Sequence, residues 1–325
     1  MGANPPLRLR RVGTHPAVTV LTLALAFPAG AFELKWPLDC TLGDTCHIQQ
    51  YVDHDPGPAA TDFTCGPLSY DGHDGTDIAL PTRADMAAGV SVLAAAAGTV
   101  GGMRNSVADL APVVPGKECG NGVVIDHGDG WVTQYCHMRQ GSVVVRPGQQ
   151  VSAGTVLGLV GQSGQAEFPH LHLSVRHDGV EVDPFQPESG SCALTPGPSL
   201  WATPVPYEPG GFLAAGFSDD IPQLDALRAG LETSPLPATA PGLVVWAFAF
   251  GTRAGDRMVF QITGPGGDFL TQVVAIDKTQ AQMFRAVGKR LTSAGWAPGP
   301  YYATVKLLRD GVEIDQIEAR VAVEP

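Results

Sequence analysis

The chain has 325 residues, of which 44% are hydrophobic and 16% charged, and it carries a formal net charge of −12. Its length suits two domains better than one, and its hydrophobic fraction excludes a disordered chain. An acidic chain without a basic stripe is not typical of proteins that bind nucleic acid or anionic membranes. We therefore expect neither of these partners.

Residues 1–31 have the pattern of an export signal. Three arginines within residues 8–11 precede an apolar run over residues 17–27, and residues 29–31 form a small-x-small cleavage site. The apolar run is about half of the roughly 20 residues that a membrane-spanning helix needs, so an anchor is the disfavoured alternative. We expect a mature chain that begins at Phe32, has no membrane span, and is periplasmic or secreted.

All six cysteines lie in the predicted mature chain. An even number after an export signal predicts disulfides formed in an oxidising compartment, although the count alone leaves many pairings open. Cys119 and Cys136 flank a predicted hairpin, so we favour that bridge. A short Cys40–Cys46 loop would leave Cys65 with Cys192, which is the weakest of the three assignments. No Cys-x-x-Cys pair is present, which argues against a cysteine-rich zinc site.

Short apolar runs separated by glycine-containing turns extend from residue 64 to residue 187. This pattern is typical of an antiparallel β domain, and helical periodicity is absent from the stretch. We predict this β domain over residues 64–187, after a lead segment over residues 32–63. The predicted strands are Ser91–Ala96, Gly122–Ile125, Trp131–Tyr135, Gly141–Val145, Thr155–Val160 and Leu171–Val175.

A proline-rich stretch over residues 188–211 has the composition of a linker. Beyond it, residues 212–325 have the size of an immunoglobulin-like β-sandwich, with one short helix predicted at Ile221–Leu231. Asp310-Gly311 predicts a hairpin turn. The fold class expected for the chain is therefore all-β. The strands predicted here are Leu243–Phe250, Arg257–Thr263, Gln272–Ile276, Tyr301–Leu308 and Glu313–Val323.

Two histidine motifs indicate a metal site. His73 and Asp77 lie four residues apart, while His170 and His172 lie two apart, a spacing that puts both imidazoles on one face of a strand. Catalytic zinc usually has three protein ligands and keeps a fourth position open, and two histidines with one carboxylate meet that rule. Each motif alone is more often a surface or core feature. A third motif, Gln-Tyr-Cys-His-Met with His137, favours the metal site because all the motifs occur together.

These motifs occur in the order His-Asp-Gly-Thr-Asp, Tyr-Cys-His-Met and Pro-His-Leu-His, with a glycine-rich connection between the last two. In this the chain resembles the M23 peptidases, the lysostaphin and LytM-like endopeptidases, over roughly residues 64 to 185. The resemblance implies a compact antiparallel β fold with Zn²⁺ in a groove. It does not extend to the C-terminal domain.

The resemblance also assigns roles to five residues. His73, Asp77 and His172 match the zinc ligands, and His137 and His170 match the paired catalytic histidines. The sequence departs from the family pattern at none of the five. Which histidine accepts the first proton stays open.

The function implied is a zinc-dependent endopeptidase that hydrolyses the peptide stems or cross-bridges of bacterial peptidoglycan. The alternative is a non-catalytic LytM-like activator or wall-binding protein, which would be expected to lack some of the ligands. A structural adhesin or sugar-binding β protein with a fortuitous histidine cluster ranks third. For the C-terminal domain, three roles stay open: binding the wall, binding a protein partner, or only covering the peptidase domain.

The lead segment contains Asp53-His54-Asp55. We favour a solvated loop, because such residues prefer the surface. The alternative is a segment that reaches over the groove and gates the metal.

Overall fold

Strands dominate the part of the chain that the computed structural model describes, residues 32–188, 190–195 and 197–325. The all-β prediction is therefore confirmed. The predicted export signal, residues 1–31, lies outside the described residues. Within the described ranges, no helix is long and apolar enough to cross a bilayer.

The N-terminal half contains ten of the strands found in the described residues and one short helix. In chain order these are β1 His47–Gln50, β2 Thr76–Ala79, α1 Arg83–Ala88, β3 Ser91–Leu93, β4 Gly98–Arg104, β5 Asn121–Gly128, β6 Trp131–Met138, β7 Gln150–Val151, β8 Val156–Leu159, β9 His170–His177 and β10 Val180–Glu181.

Antiparallel pairing joins eight of these strands into one sheet, in the order β1-β2-β9-β6-β5-β4-β7, with β10 on β9. Strands β3 and β8 form a separate pair. The strands that carry the histidine motifs, β2, β9 and β6, are neighbours in the large sheet. The register sets His172 opposite Asp77 on one side and opposite Cys136 on the other. Motifs about 100 residues apart in sequence thus come together at the middle of the sheet.

Side-chain alternation on β9 separates the core from the candidate site. Leu171 and Leu173 are fully buried in the hydrophobic cluster, where they join Ile78 of β2 and Tyr135 of β6. Because successive residues of a strand point to opposite faces, His170 and His172 lie on the other face. Burial of the leucines therefore fixes where both imidazoles point.

Two details of the sequence prediction are wrong in this half. Gly141–Val145 is not a strand; its backbone is held instead by Asn105, whose side-chain oxygen accepts the Val143 N–H at 3.1 Å. The short helix α1 was not expected, because six residues are too few to show periodicity. Thr82 caps α1 by accepting the Asp85 N–H.

The C-terminal half contains eight strands and one short helix among the described residues. These are β11 Gly211–Ser218, α2 Leu224–Ala229, β12 Leu236–Pro237, β13 Gly242–Thr252, β14 Arg257–Gly264, β15 Gly267–Ala275, β16 Gln280–Arg290, β17 Gly299–Arg309 and β18 Val312–Glu324. The predicted helix exists but is shorter than Ile221–Leu231.

Two sheets make up this half, with strand orders β11-β13-β16 and β12-β18-β17-β14-β15. They share one core, in which Val245 of the first sheet and Phe260 and Val305 of the second are fully buried. Asp310 and Gly311 both have positive φ, 51° and 81°, as the predicted hairpin turn between β17 and β18 requires. The immunoglobulin-like assignment and the domain boundaries stay predictions.

The lead segment contacts both halves. Glu208 accepts the Ile48 N–H at 2.5 Å, and the Gln49 side chain donates to the Ala281 carbonyl at 2.7 Å. The His47 ring lies 4.2 Å from the Phe250 ring. β1 therefore belongs to the large sheet while its residues also contact the C-terminal half.

The structure pairs the six cysteines as the sequence favoured. The bridges are Cys40–Cys46, Cys65–Cys192 and Cys119–Cys136.

Candidate metal centre

Three donor atoms converge at the end of the β2–β9 pairing. The Nε2 atom of His73, in the loop that leads into β2, lies 3.2 Å from the His172 Nδ1 atom and 3.2 Å from an Asp77 carboxylate oxygen. That oxygen lies 2.9 Å from the same His172 Nδ1 atom. All three residues are buried, and their ligand atoms lie within 4.8 Å of one another. This is the arrangement of a three-ligand metal site.

A backbone carbonyl orients His73. Its Nδ1 atom lies 2.6 Å from the Tyr51 carbonyl oxygen, which can only accept, so Nδ1 carries the proton and Nε2 presents a lone pair to the centre. The Asp53 N–H in turn donates to the His73 carbonyl at 2.9 Å. The lead segment thus supports a candidate ligand. Sequence reasoning missed Tyr51, because a carbonyl acceptor has no residue-type signature.

His172 is oriented through its other ring nitrogen. Nε2 lies 3.1 Å from an Asp74 carboxylate oxygen and 3.0 Å from the Ser174 hydroxyl, which leaves Nδ1 toward the centre. Burial alone would lower the pKa of His172, but its hydrogen bonds to Asp74 and Asp77 and their charges raise it to about 9. A Cβ atom on Gly75 would lie 2.6 Å from Nε2, so only glycine fits there. Neither Asp74 nor Ser174 was predicted to act at the site.

The two predicted catalytic histidines lie beside this group. His170 Nδ1 donates to the Phe168 carbonyl and His137 Nδ1 to the Ser163 carbonyl, each at 2.8 Å. His170 Nε2 lies 3.4 Å from the Asp77 carboxylate. The ring centroids of His137 and His170 are 4.5 Å apart. The fold therefore brings together all five side chains that the sequence singled out.

Burial sets the protonation of these groups. It lowers the pKa of His170, and it lowers that of His137 to about 3 with help from the charges of His170 and His172. Burial opposes ionisation of Asp77, yet the neighbouring imidazoles hold its pKa well below the usual range. The site thus combines an ionised carboxylate with two neutral histidines.

His137 has an unusual backbone conformation. Its φ is +61°, in the left-handed region, which costs a residue other than glycine roughly 1–3 kcal/mol. Its N–H donates to the Cys119 carbonyl at 2.8 Å, in addition to the side-chain bond to Ser163. Both the backbone and the ring of His137 are therefore held by other segments.

A cavity of about 220 Å³ adjoins the centre. Two imidazole nitrogens and one carboxylate oxygen are the donor set that zinc accepts, and three protein ligands leave a fourth position for chemistry. Buried donors beside an open cavity therefore fit a catalytic zinc ion. The cavity is lined by Tyr70, Asp74, Glu118, Cys119, Gln134, Cys136, His137, Gln165, His172, Ser174 and Arg176.

The favoured reading of Asp53-His54-Asp55 as a solvated loop is wrong for His54. This side chain is buried, and its Nε2 atom lies 2.7 Å from the Asp183 carboxylate. Asp53 accepts backbone N–H groups of Asp55 and Gly72. A long-range hydrogen bond that propensity does not predict thus overrides the surface preference. His54 lines a cavity of about 910 Å³ that also reaches His73.

Residues 71–184 match the profile of Peptidase family M23. This segment is an M23 peptidase domain. All five side chains of the candidate centre lie within it.

Curated relatives also match part of the chain. The cell division protein DipM of Caulobacter vibrioides is 34% identical over 122 residues, which cover 38% of this chain and 17% of that protein. The peptidoglycan DD-endopeptidase ShyA of Vibrio cholerae is 36% identical over 111 residues, which cover 34% and 22%. The chain thus matches about a fifth of each relative.

Solved structures of M23 proteins are also similar to part of the chain. The catalytic domain of the prophage-encoded M23 protein EnpA from Enterococcus faecalis is 25% identical, with 49% of this chain and all of that one covered, at a TM-score of 0.34.

Proposed function

We propose that this protein is a zinc-dependent endopeptidase that hydrolyses peptide cross-links of bacterial peptidoglycan. One observation carries the proposal: ligand atoms of His73, Asp77 and His172 converge within 4.8 Å of one another, with His170 beside them and His137 lining the adjoining cavity. The match to Peptidase family M23 and the similarity to the peptidoglycan DD-endopeptidase ShyA support the substrate class.

His73, Asp77 and His172 would hold the metal. When bound, zinc supplies Lewis acidity, which polarises a peptide carbonyl and makes a water molecule more acidic. Asp77 contributes one negative charge, so the loaded site keeps a net positive charge. His73 donates to the Tyr51 carbonyl and His172 to the Asp74 carboxylate, which fixes the ring nitrogens that would face the ion.

The two remaining histidines would move the proton. Because His137 and His170 both commit Nδ1–H to carbonyls, each presents an unprotonated Nε2 and can accept a proton from water. Neither can donate from Nε2 at the start of the reaction. The histidine that takes the water proton thereby becomes the donor to the leaving amine.

Tyr70 would stabilise the developing oxyanion. Its ring lies 4.4 Å from the His73 ring, and it lines the cavity beside the centre. Burial raises the pKa of its hydroxyl, and the charges of Asp77 and Asp74 raise it further, so the group keeps its proton. A protonated phenol is a hydrogen-bond donor for negative charge on oxygen.

The test is mass spectrometry of muropeptides released by the mature protein from purified peptidoglycan, with zinc content measured on the same sample. We expect new peptide ends from the wild type and none from His172→Ala or after chelation. A zinc-loaded protein that releases no peptide would favour the non-catalytic activator. A protein without zinc that still hydrolyses would exclude the metal mechanism.

The location follows from the same proposal. The predicted export signal over residues 1–31, with a mature chain from Phe32, would direct the protein to the periplasm or outside the cell. The three disulfides support an oxidising compartment. For the C-terminal domain we propose a wall component or a protein as partner.

A further inference from the structure

We infer that the Cys119–Cys136 disulfide is a positioning element for His137. This inference rests on the proposed function, because its test measures turnover. Cys136 directly precedes His137 on β6, and the Cys119 carbonyl accepts the His137 N–H at 2.8 Å. The disulfide therefore links the residue before His137 to the residue that binds the His137 backbone.

The chain around Cys119 also contacts the group that orients the His137 ring. The Gln165 N–H donates to the Glu118 carbonyl at 2.8 Å, and a Cβ atom on Gly120 would lie 2.3 Å from the Ser163 carbonyl oxygen. That same Ser163 oxygen accepts the His137 Nδ1 proton. One short segment, residues 118–120, thus binds the His137 backbone and contacts the residue that binds its side chain.

His137 needs such support because of its conformation. With φ at +61° it lies in a region that residues other than glycine rarely adopt, so the surrounding contacts must hold it there. Residues 105–120, which connect β4 to β5, contain no helix or strand in the structure. The disulfide is the covalent tie between this irregular connection and β6.

A disulfide that only stabilises the connection would have different consequences. It would lower the unfolding temperature when removed but leave His137 in place in the folded protein. The Cys40–Cys46 bridge of the lead segment offers a matched control, because it also closes a short loop and neither cysteine lines the cavity beside the centre.

The experiment compares C119A/C136A, C119A/C136V and C40A/C46A with wild type below their unfolding temperatures. The valine refills the buried volume at Cys136. Initial rates with soluble muropeptide dimers give kcat and KM, elemental analysis gives zinc, and long-range ¹H–¹⁵N spectra of ¹⁵N-histidine protein give the His137 tautomer. In the Cys119 variants we expect kcat to fall at least ten-fold, KM and zinc to stay within two-fold, and His137 to lose its single Nδ1-protonated form.

The control variant should keep kcat within two-fold and the wild-type His137 signal. An unchanged tautomer and kcat in the Cys119 variants would overturn the inference, as would an equal loss of kcat in C40A/C46A. Failure of both Cys119 variants to fold, while C40A/C46A folds, would also overturn it, because the bridge would then serve the whole fold. If wild type shows no hydrolysis, the proposed function fails, and the tautomer measurement still decides the inference.

Discussion

The His73 imidazole donates its Nδ1 proton to the Tyr51 carbonyl, with 2.6 Å between nitrogen and oxygen. Tyr51 follows β1 in the lead segment and is fully buried. Because its carbonyl selects the tautomer of a candidate ligand, Tyr51 is part of the candidate metal centre. One residue of the predicted lead segment thus orients a candidate ligand.

Removing a ligand should remove the metal. We expect His172→Ala to contain almost no zinc after dialysis and to show only background hydrolysis, because two donors bind zinc far more weakly than three. His177→Ala is the matched control, since it lies on the same strand but bonds the Asp129 carbonyl and stacks on Trp131. Full zinc occupancy in His172→Ala would show that the ligand set is wrong.

Removing a catalytic histidine should leave the metal in place. We expect His137→Ala and His170→Ala each to keep full zinc content and to lose roughly 10²- to 10⁴-fold in kcat, since proton transfer is then unassisted. His127→Ala serves as the control, because the His127 ring forms hydrogen bonds with the Ala97 carbonyl and the Thr133 hydroxyl, away from the centre. Loss of zinc in His137→Ala would assign that residue to the ligands instead.

Tyr70→Phe should slow turnover without changing metal binding. The phenylalanine keeps the ring beside His73 but removes the hydroxyl, so we expect kcat to fall about 10- to 1000-fold while KM and zinc content stay near wild type. Tyr302→Phe, an exposed position in the C-terminal half, is the matched control. A rise in KM with unchanged kcat would mean that Tyr70 binds substrate rather than the transition state.

Asp74→Asn should weaken zinc binding. The carboxylate accepts the His172 Nε2 proton at 3.1 Å, and loss of such a contact typically costs about 10- to 100-fold in metal affinity. Competition with a chromogenic chelator measures the change, and Asp71→Asn, three residues earlier, is the control. An unchanged dissociation constant would mean that the Ser174 hydroxyl alone orients the ring.

Glu208 should make the folded state less stable as pH rises. Burial, opposed by the hydrogen bond from the Ile48 N–H and aided by the charge of Asp315, raises its pKa from 4.5 to about 7. Between pH 4.5 and 7 the folded chain holds a proton that the unfolded chain releases. The free energy of unfolding therefore falls across this window, by on the order of 3 kcal/mol, and is highest below it.

Urea unfolding at pH 5 and pH 8 gives the change in the free energy of unfolding for wild type and for Glu208→Gln. The difference between the two changes is the contribution of Glu208. We expect the variant to lose less stability than wild type on going to pH 8. Glu313 is exposed and paired with Lys306, so Glu313→Gln is the control. Its free energy of unfolding should change with pH as that of wild type does. Parallel pH dependence of all three proteins would contradict the raised pKa.

The order of the motifs and the strand-like spacing of His170 and His172 could be read from sequence, because imidazoles and carboxylates have residue identities and strands have a period of two. The same reasoning gave the hairpin at Asp310-Gly311. It failed at His54, where a distant carboxylate on Asp183 decides burial, and at Gly141–Val145, where an Asn105 side chain replaces a strand partner.

The sequence by itself determined the β class and the residue types available for a metal, since both depend on local pattern and side-chain chemistry. Only the tertiary structure decided which nitrogen of each imidazole faces the centre. The side chains of Asp74 and Ser174 make that choice for His172. For the other three imidazoles it is made by the backbone carbonyls of Tyr51, Phe168 and Ser163. Every residue carries a carbonyl, so its role depends on where the fold places it.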